Sequence, residues 1–357
     1  MDKDDIQTEA LKAIAPHRRC GVDSSMGSGK TMMGIRHMDK EYNDSCRFLI
    51  VGSKKSVFKA WKEDIEKFGM KHLIPHLKFT TYRSLHKQDF DYDVVYLDEC
   101  HNLKFSHDPW LSNYQGKILG LTGTPPVRAT SERGIMVNKY CPIVFVYKTD
   151  TAIDDGILND YEIFVHLLHL NTARTLPMKK GDSVWYTSEQ SSYDFWTDKI
   201  ENGPPARAQM ARIMRMKAMQ GFPSKEKLGA MLFNGTNKKC LIFANTKEQA
   251  ERLCKYSYHS TNPRSEDNLT FFKEGNIIKL SAVQQLSESV NIPNLEEGII
   301  LHAYGNERTA SQKIGRFLRL NPKQKSTVRI LCYLDTIDVE WVKSALEGFD
   351  QSKITYL

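Results

Sequence analysis

Seven short runs of apolar and β-branched residues mark the chain, at 47–51, 94–97, 118–121, 240–243, 277–280, 299–301 and 328–333, and each is followed by a turn and a segment with helical spacing. Runs of this kind suit strands buried on both faces, and their alternation with helices predicts an α/β fold of mostly parallel sheets. Ligands of such sheets sit beyond the carboxyl ends of the strands. The residues just after each run are therefore the ones to inspect.

The rhythm breaks over about 150–237, where Pro177, Gly181, Gly203 and the pair Pro204-Pro205 surround a basic, Met-rich stretch at 206–220. A lobe boundary is expected near 154–159, which gives domains of 1–155 and 156–357, with an accessory element at about 171–237. In that element Arg207, Arg212, Arg215 and Lys217 share a predicted helix with Met210, Met214 and Met219. The spacing is read as a Met stripe packed on a core with a solvated basic face, against the alternative of a nucleic-acid contact. No repeat of 20 to 50 residues is evident.

The 357 residues suffice for two domains that each bury a core, and 40% hydrophobic with 26% charged residues excludes disordered and collagenous classes. The longest apolar run, near 163–170, is interrupted by His166 and His169, so no spanning helix is expected. The start of the chain, with Asp2, Asp4 and Asp5, lacks the basic and apolar parts of a secretory signal. A cytoplasmic location is expected. Seven cysteines without a C-x-x-C spacing read as free thiols. The formal charge of +7 favours a polyanionic partner without demanding one.

Chemistry concentrates at four places. Ser24-Ser25-Met26-Gly27-Ser28-Gly29-Lys30-Thr31 opens into a helix. The glycines let backbone N–H groups close round phosphates, Lys30 adds a point charge, and Thr31 can ligate Mg²⁺. Asp98-Glu99-Cys100-His101 ends an apolar strand, so Asp98 can hold Mg²⁺ while Glu99 orients and deprotonates water. At the next strand end, Thr122-Gly123-Thr124 places two hydroxyls in a tight turn. Far downstream, Arg316 and Arg319 share one helical face, where they suit a transferring phosphoryl group or, taken alone, a solvated surface.

In this order and spacing the strings resemble the motifs of the superfamily 2 helicases and translocases. The resemblance implies two tandem RecA-like P-loop domains with the ATP site in the cleft between lobes. ATP and Mg²⁺ are the implied cofactors. Gln7 matches the adenine-reading glutamine, which completes a nucleotide set of Gln7, Gly27, Ser28, Gly29, Lys30 and Thr31, with Thr31 and Asp98 on the metal. Ser53 and Lys54 resemble motif Ia, Thr81 and Tyr82 the Thr-Tyr-x-Ser element, and Asn245 and Thr246 motif IV. These six are the implied nucleic-acid contacts.

His101, Thr122, Thr124 and Asn291 are the implied coupling residues. Lys30, Asp98, Glu99, Gln312, Arg316 and Arg319 are the implied catalytic set. The chain departs from the family at Ser289, where motif V has Gly, and at Lys313, where motif VI has Arg.

The first lobe is similar to Swi/Snf-type translocases, and the second to compact phage or repair helicases of the UvsW and XPB type. The resemblance therefore implies a monomeric motor on single-stranded, duplex or branched DNA in replication, recombination or repair, with a protein partner from that machinery and a phage origin in view. Two alternatives stay open: an ATP-switched nucleic-acid clamp without turnover, and an RNA helicase.

Overall fold

The computed structural model describes residues 2–25, 27–126, 128–283, 292–302 and 325–357. Its described residues gather into two units, one running to Asp160 and the other starting at Tyr161. The first opens with α1 (Lys3–Ile14), closed at its N-terminus by reciprocal bonds between Asp2 and Asp5, and turns Ile6, Gln7, Ala10, Leu11 and Ile14 inward at helical spacing. There follow β1 (Arg19–Ser24), α2 (Lys30–Glu41), β2 (Phe48–Gly52), α3 (Lys55–Lys67), β3 (Leu77–Thr81) and β4 (Val94–Asp98). The unit continues with α4 (Asp108–Asn113), β5 (Lys117–Thr122), α5 (Glu132–Tyr140), β6 (Ile143–Tyr147) and α6 (Thr149–Asp154).

These six strands are all parallel, in the order β3-β2-β4-β5-β1-β6. Alternate residues divide between two cores. Phe48, Ile50, Val94, Tyr96, Leu119 and Leu121 pack with α1, α2 and α3, whereas Leu49, Val51, Val95, Leu97 and Ile118 pack with α4 and α5. Burial on both faces is why these strands read as continuous apolar runs. Leu158 is buried in the first of these cores, so the unit continues beyond α6.

The second unit contains β7 (Tyr161–Leu168), β8 (Leu176–Lys180), β9 (Ser183–Thr187), α7 (Glu189–Glu201), α8 (Pro205–Gly221) and α9 (Pro223–Gly235). Then come β10 (Cys240–Phe243), α10 (Lys247–Leu253), β11 (Ser257–Tyr258), α11 (Ser265–Glu274), β12 (Lys279–Ala282) and β13 (Glu297–Ile300). The last elements are β14 (Ser326–Tyr333), α12 (Ile337–Leu346) and β15 (Ile354–Tyr356). Seven strands form a parallel sheet in the order β11-β12-β10-β13-β14-β7-β15, while β8 and β9 pair antiparallel as a separate ribbon.

Two expectations are corrected here. The strand anticipated at 277–280 lies two residues later, because Leu280 and Ala282 are buried and Ile278 is exposed. The Met stripe of α8 is mostly not core: Met219 is buried, but Met210 is 61% exposed and Ile213, on the same side, is exposed too. Only the C-terminal end of α8 reaches the cluster of Leu170, Tyr193, Phe222 and Tyr333.

Below that cluster, Lys225 of α9 is fully buried in an ion pair with fully buried Asp338 of α12, and its Nζ lies 3.3 Å from His302 Nδ1. Asp338 also accepts a bond of 2.8 Å from the Tyr333 N–H, which ties α9, β14 and α12 together.

Candidate active site

Strand order assembles the site. β5 lies between β4 and β1, with Asp98 opposite Leu121 and Asp23 opposite Thr122, so the three strands deliver their following loops to one edge of the sheet. The loop after β1 depends on two glycines: Gly27 and Gly29 have φ of 89° and 95°, which L-residues adopt only at a cost. Ser24, where the strict pattern has glycine, is buried and bonds through its hydroxyl to Ser28 Oγ at 2.5 Å. Ser28 Oγ in turn donates to the Ser25 carbonyl at 2.6 Å, so the loop is braced from beneath by hydroxyls.

Lys30 Nζ donates to the Ser24 carbonyl at 3.0 Å and sits over Gly123, where a Cβ would come within 2.7 Å of it. The loop lysine and the turn after β5 are thus in contact. Gln7 of α1 is buried beside the same loop, with its Nε2 2.7 Å from where a Cβ on Gly29 would lie. Among the described residues its Oε1 is buried without a hydrogen-bond partner. An unsatisfied buried carbonyl is costly, and it is rare unless a ligand completes it.

The acidic pair has its own supports. Trp61 of α3, itself buried, donates from Nε1 to Asp98 Oδ2 at 2.9 Å. Burial first, and the neighbouring Glu99 second, push the Asp98 carboxyl up to about 6, while Trp61 and Lys30 pull it back. Glu99 adopts the left-handed region at φ 53°, a strain of about 1–3 kcal/mol of the kind that concentrates at functional sites.

Glu99 Oε2 lies 3.4 Å from Nδ1 of buried His101. The same nitrogen is 2.8 Å from Thr122 Oγ1 and 3.3 Å from Thr124 Oγ1, and the Thr124 N–H donates to Thr122 Oγ1 at 3.1 Å. His101 thus hydrogen-bonds to the turn after β5 while its ring lies beside Glu99.

The donor set fits Mg²⁺-nucleotide. A hydroxyl from Thr31 and a carboxylate from Asp98 are hard oxygen ligands, few enough to leave positions for water and phosphate. The open carbonyl of Gln7, the glycine-shaped loop and Lys30 fit a base and its phosphates. Bound Mg²⁺ would neutralise phosphate charge. Lys30 would orient the phosphates and Glu99 the attacking water.

Among the nucleic-acid residues expected from the sequence, Ser53 and Lys54 lie at the start of α3, Thr81 ends β3, and Asn245 and Thr246 precede α10. Thr246 is the N-cap of α10, its hydroxyl accepting from the Gln249 N–H at 3.2 Å. Tyr82 turns inward: its ring is buried and its hydroxyl donates to the Asp98 carbonyl at 2.9 Å, so it supports the acidic pair. Asn291, Gln312, Arg316 and Arg319 lie outside the described residues, as do Ser289 and Lys313.

Two neighbours of the site carry no local signal in the sequence. One is the Trp61 bond to Asp98. The other is Asp23 of β1, which burial raises to about 6 while Lys30 and Lys148 oppose the shift.

Two parallel-sheet units, the first with a glycine-bent phosphate loop facing a strand-end acidic pair, define a P-loop nucleotide hydrolase. Residues 1–127 match a family described as the res subunit of type III restriction enzymes, and residues 223–321 match the helicase conserved C-terminal domain. The DNA 3'-5' translocase XPB2 of Sulfurisphaera tokodaii is 23% identical over 362 residues, which cover 92% of this chain and 81% of that protein.

Among solved structures, the ATP-dependent type ISP restriction-modification enzyme LlaBIII bound to DNA superposes with a TM-score of 0.64 at 14% identity. The match covers 99% of this chain, which spans 31% of that enzyme's chain. Dbp5 of S. cerevisiae bound to RNA and ADP BeF3 gives a TM-score of 0.59 at 13% identity, over 99% of this chain and 89% of that one. Such likenesses carry the fold, which is that of two tandem RecA-like domains. The two family matches and the translocase relative support a superfamily 2 helicase or translocase that hydrolyses ATP.

Proposed function

We propose that the protein is a motor that couples ATP hydrolysis to movement along DNA, or to its remodelling. The observation that carries this reading is the position of His101, beside Glu99 on one side and hydrogen-bonded to the Thr122–Thr124 turn on the other. It gives the strained, water-orienting carboxylate a mechanical link to the loop beside Lys30, so a change at the phosphates can be passed through the sheet edge. Catalysis of phosphoryl transfer rests on positioning and charge neutralisation, and this site supplies both. Lys30, Thr31 and Asp98 hold Mg-ATP, Glu99 activates water, and Gln312, Arg316 and Arg319, matched by motif VI in the sequence, act on the transferring phosphoryl group.

DNA is favoured as the track because the curated relative that aligns with 92% of this chain is a DNA translocase. Ser53, Lys54 and Thr81 lie at the carboxyl edge of the first sheet and Asn245 and Thr246 at that of the second, where backbone phosphates would meet them. The test is the steady-state ATPase rate on single-stranded DNA, duplex, fork, four-way junction and RNA at matched salt, since every phosphate contact is salt-dependent. Stimulation by DNA supports the reading. Stimulation by RNA alone moves the protein to RNA, and a rate that no polymer raises removes the motor.

A further inference from the structure

The segment between β7 and α9 contributes no strand to the main sheet, yet it is firmly anchored. Buried Glu189 clasps both of its ends: Oε2 accepts from the Asn171 N–H at 3.0 Å and from Ser224 Oγ at 2.7 Å, and Oε1 accepts from the Ser224 N–H at 2.9 Å. Leu176 adds an apolar foot, packed against Leu170, Tyr193, Met219, Phe222 and Tyr333. A two-stranded ribbon is marginal by itself and needs such a base.

From this base the β8–β9 ribbon presents aromatic side chains to both sides. The pairing Pro177 with Tyr186 and Lys179 with Val184 puts these four residues on one face, all exposed, with Tyr186 at 61%. Met178 pairs with Trp185 on the other face, where Trp185 remains 46% exposed. Asp182, at the turn, is the only acidic residue between 171 and 188, a stretch that also carries Arg174. The neighbouring α8 has no acidic residue in 17 and exposes Arg207, Arg212 and Lys217.

α7, which follows β9, exposes Asp194, Asp198 and Glu201 beside Lys199, so the positive charge belongs to the ribbon and to α8. Flat rings on two faces of a ribbon that carries Lys179, with Arg174 just before it, suit a polyanion whose own units are flat. We propose that the β8–β9 ribbon is a base-stacking finger for unpaired nucleic acid. Tyr186 and Trp185 supply the stacking planes, and Lys179 and Arg174 meet the phosphates. The finger rests on the proposed motor function and says which element of the chain handles the unpaired strand. Stacking tolerates any base, so the finger needs no sequence preference.

The test uses the full chain and oligothymidylate strands with and without abasic positions, at matched salt, read by fluorescence anisotropy. The double variant Trp185→Ala/Tyr186→Ala is expected to bind the intact strand roughly tenfold to a hundredfold more weakly. Trp185→Phe/Tyr186→Phe keeps most of the affinity. Abasic positions weaken the wild type but leave the alanine variant unmoved. Lys179→Glu, a substitution at an exposed site, lowers the salt slope by about one.

Alanine and wild-type affinities within twofold on both strands would overturn the finger. That result differs from failure of the motor reading, in which the wild type itself binds no nucleic acid and its ATPase is not stimulated.

Discussion

Replacing Trp61 by Phe tests how the site holds Asp98, the carboxylate proposed to bind Mg²⁺. The indole Nε1 donates to Asp98 Oδ2 at 2.9 Å, and it is one of the influences that pull the Asp98 carboxyl back against burial and Glu99, leaving it at about 6. A hydrogen bond to a charged group contributes about 1.5–3 kcal/mol, and 1.36 kcal/mol is one pKa unit, so its loss raises the acid limb by about 1–2 units. An apparent pKa of about 7–8 leaves roughly half to a tenth of the carboxyl ionised at pH 7, against about nine-tenths in the wild type.

The expected outcome is a two- to tenfold loss of kcat/KM for Mg-ATP at pH 7 that recovers by about pH 9. The phenylalanine also leaves a cavity costing about 1–3 kcal/mol of stability. A stability loss lowers the plateau without moving the limb, so the pH profile separates the two effects. An acid limb within about 0.3 units of the wild type's would show that Trp61 is packing only.

Three further outcomes follow from the geometry. Gly123→Ala would place a Cβ 2.7 Å from Lys30 Nζ and 2.9 Å from the Ser24 carbonyl, so the KM for ATP should rise about tenfold or more, and an ATP titration with unchanged KM would contradict this. Lys225→Met strands the Asp338 carboxylate in the core at about 3–5 kcal/mol; Lys225→Met/Asp338→Asn, which keeps an acceptor for the Tyr333 N–H, should recover most of it in denaturant melts. Equal losses in the two variants would refute the uncompensated-charge explanation.

Buried His37 titrates at about 4 in the fold against 6.5 unfolded, because burial disfavours its charge. The unfolded chain takes the proton first, so stability is lost as pH falls from 6.5 to 4, by roughly 3 kcal/mol in all. Asp23 and Asp98, both raised to about 6, act oppositely: the stability they give is full below pH 3.8 and is lost as pH rises through 6. Urea titrations of His37→Phe should show less acid destabilisation than the wild type, and an identical slope would refute the assignment.

Much of the first unit was legible because its strands are buried on both faces. Runs such as 94–97 and 118–121 needed no context, and the chemistry follows directly at their carboxyl ends. β1 gave no such signal, since Arg19 and Asp23 interrupt it and Gly21 is there for clearance: a Cβ would come 2.5 Å from the Cys141 carbonyl oxygen. Tyr82 shows the limit of a motif, which names a residue without saying which way its ring turns.

The pairs Trp61–Asp98 and Lys225–Asp338 are 37 and 113 positions apart and exist only once the sheets are assembled. The helical spacing in α8 was real, but periodicity marks a stripe without saying what covers it. There α7 covers the opposite side, and Met210 stays outside. Trp185 and Tyr186 drew no notice in the sequence because two adjacent aromatics are ordinary in a strand; their exposure on opposite faces is a property of the ribbon.

In the proposed function Glu99 activates water in a site whose turnover responds to DNA. The direct measurement is phosphate release by wild type and Glu99→Gln at saturating ATP, with and without saturating DNA. A positioned general base contributes about a hundredfold to ten-thousandfold. DNA-stimulated release is expected from the wild type and at least about a hundredfold less from Glu99→Gln, with ATP and DNA binding retained. Glu99→Gln turning over at the wild-type rate, in a preparation free of contaminating ATPase, would contradict it.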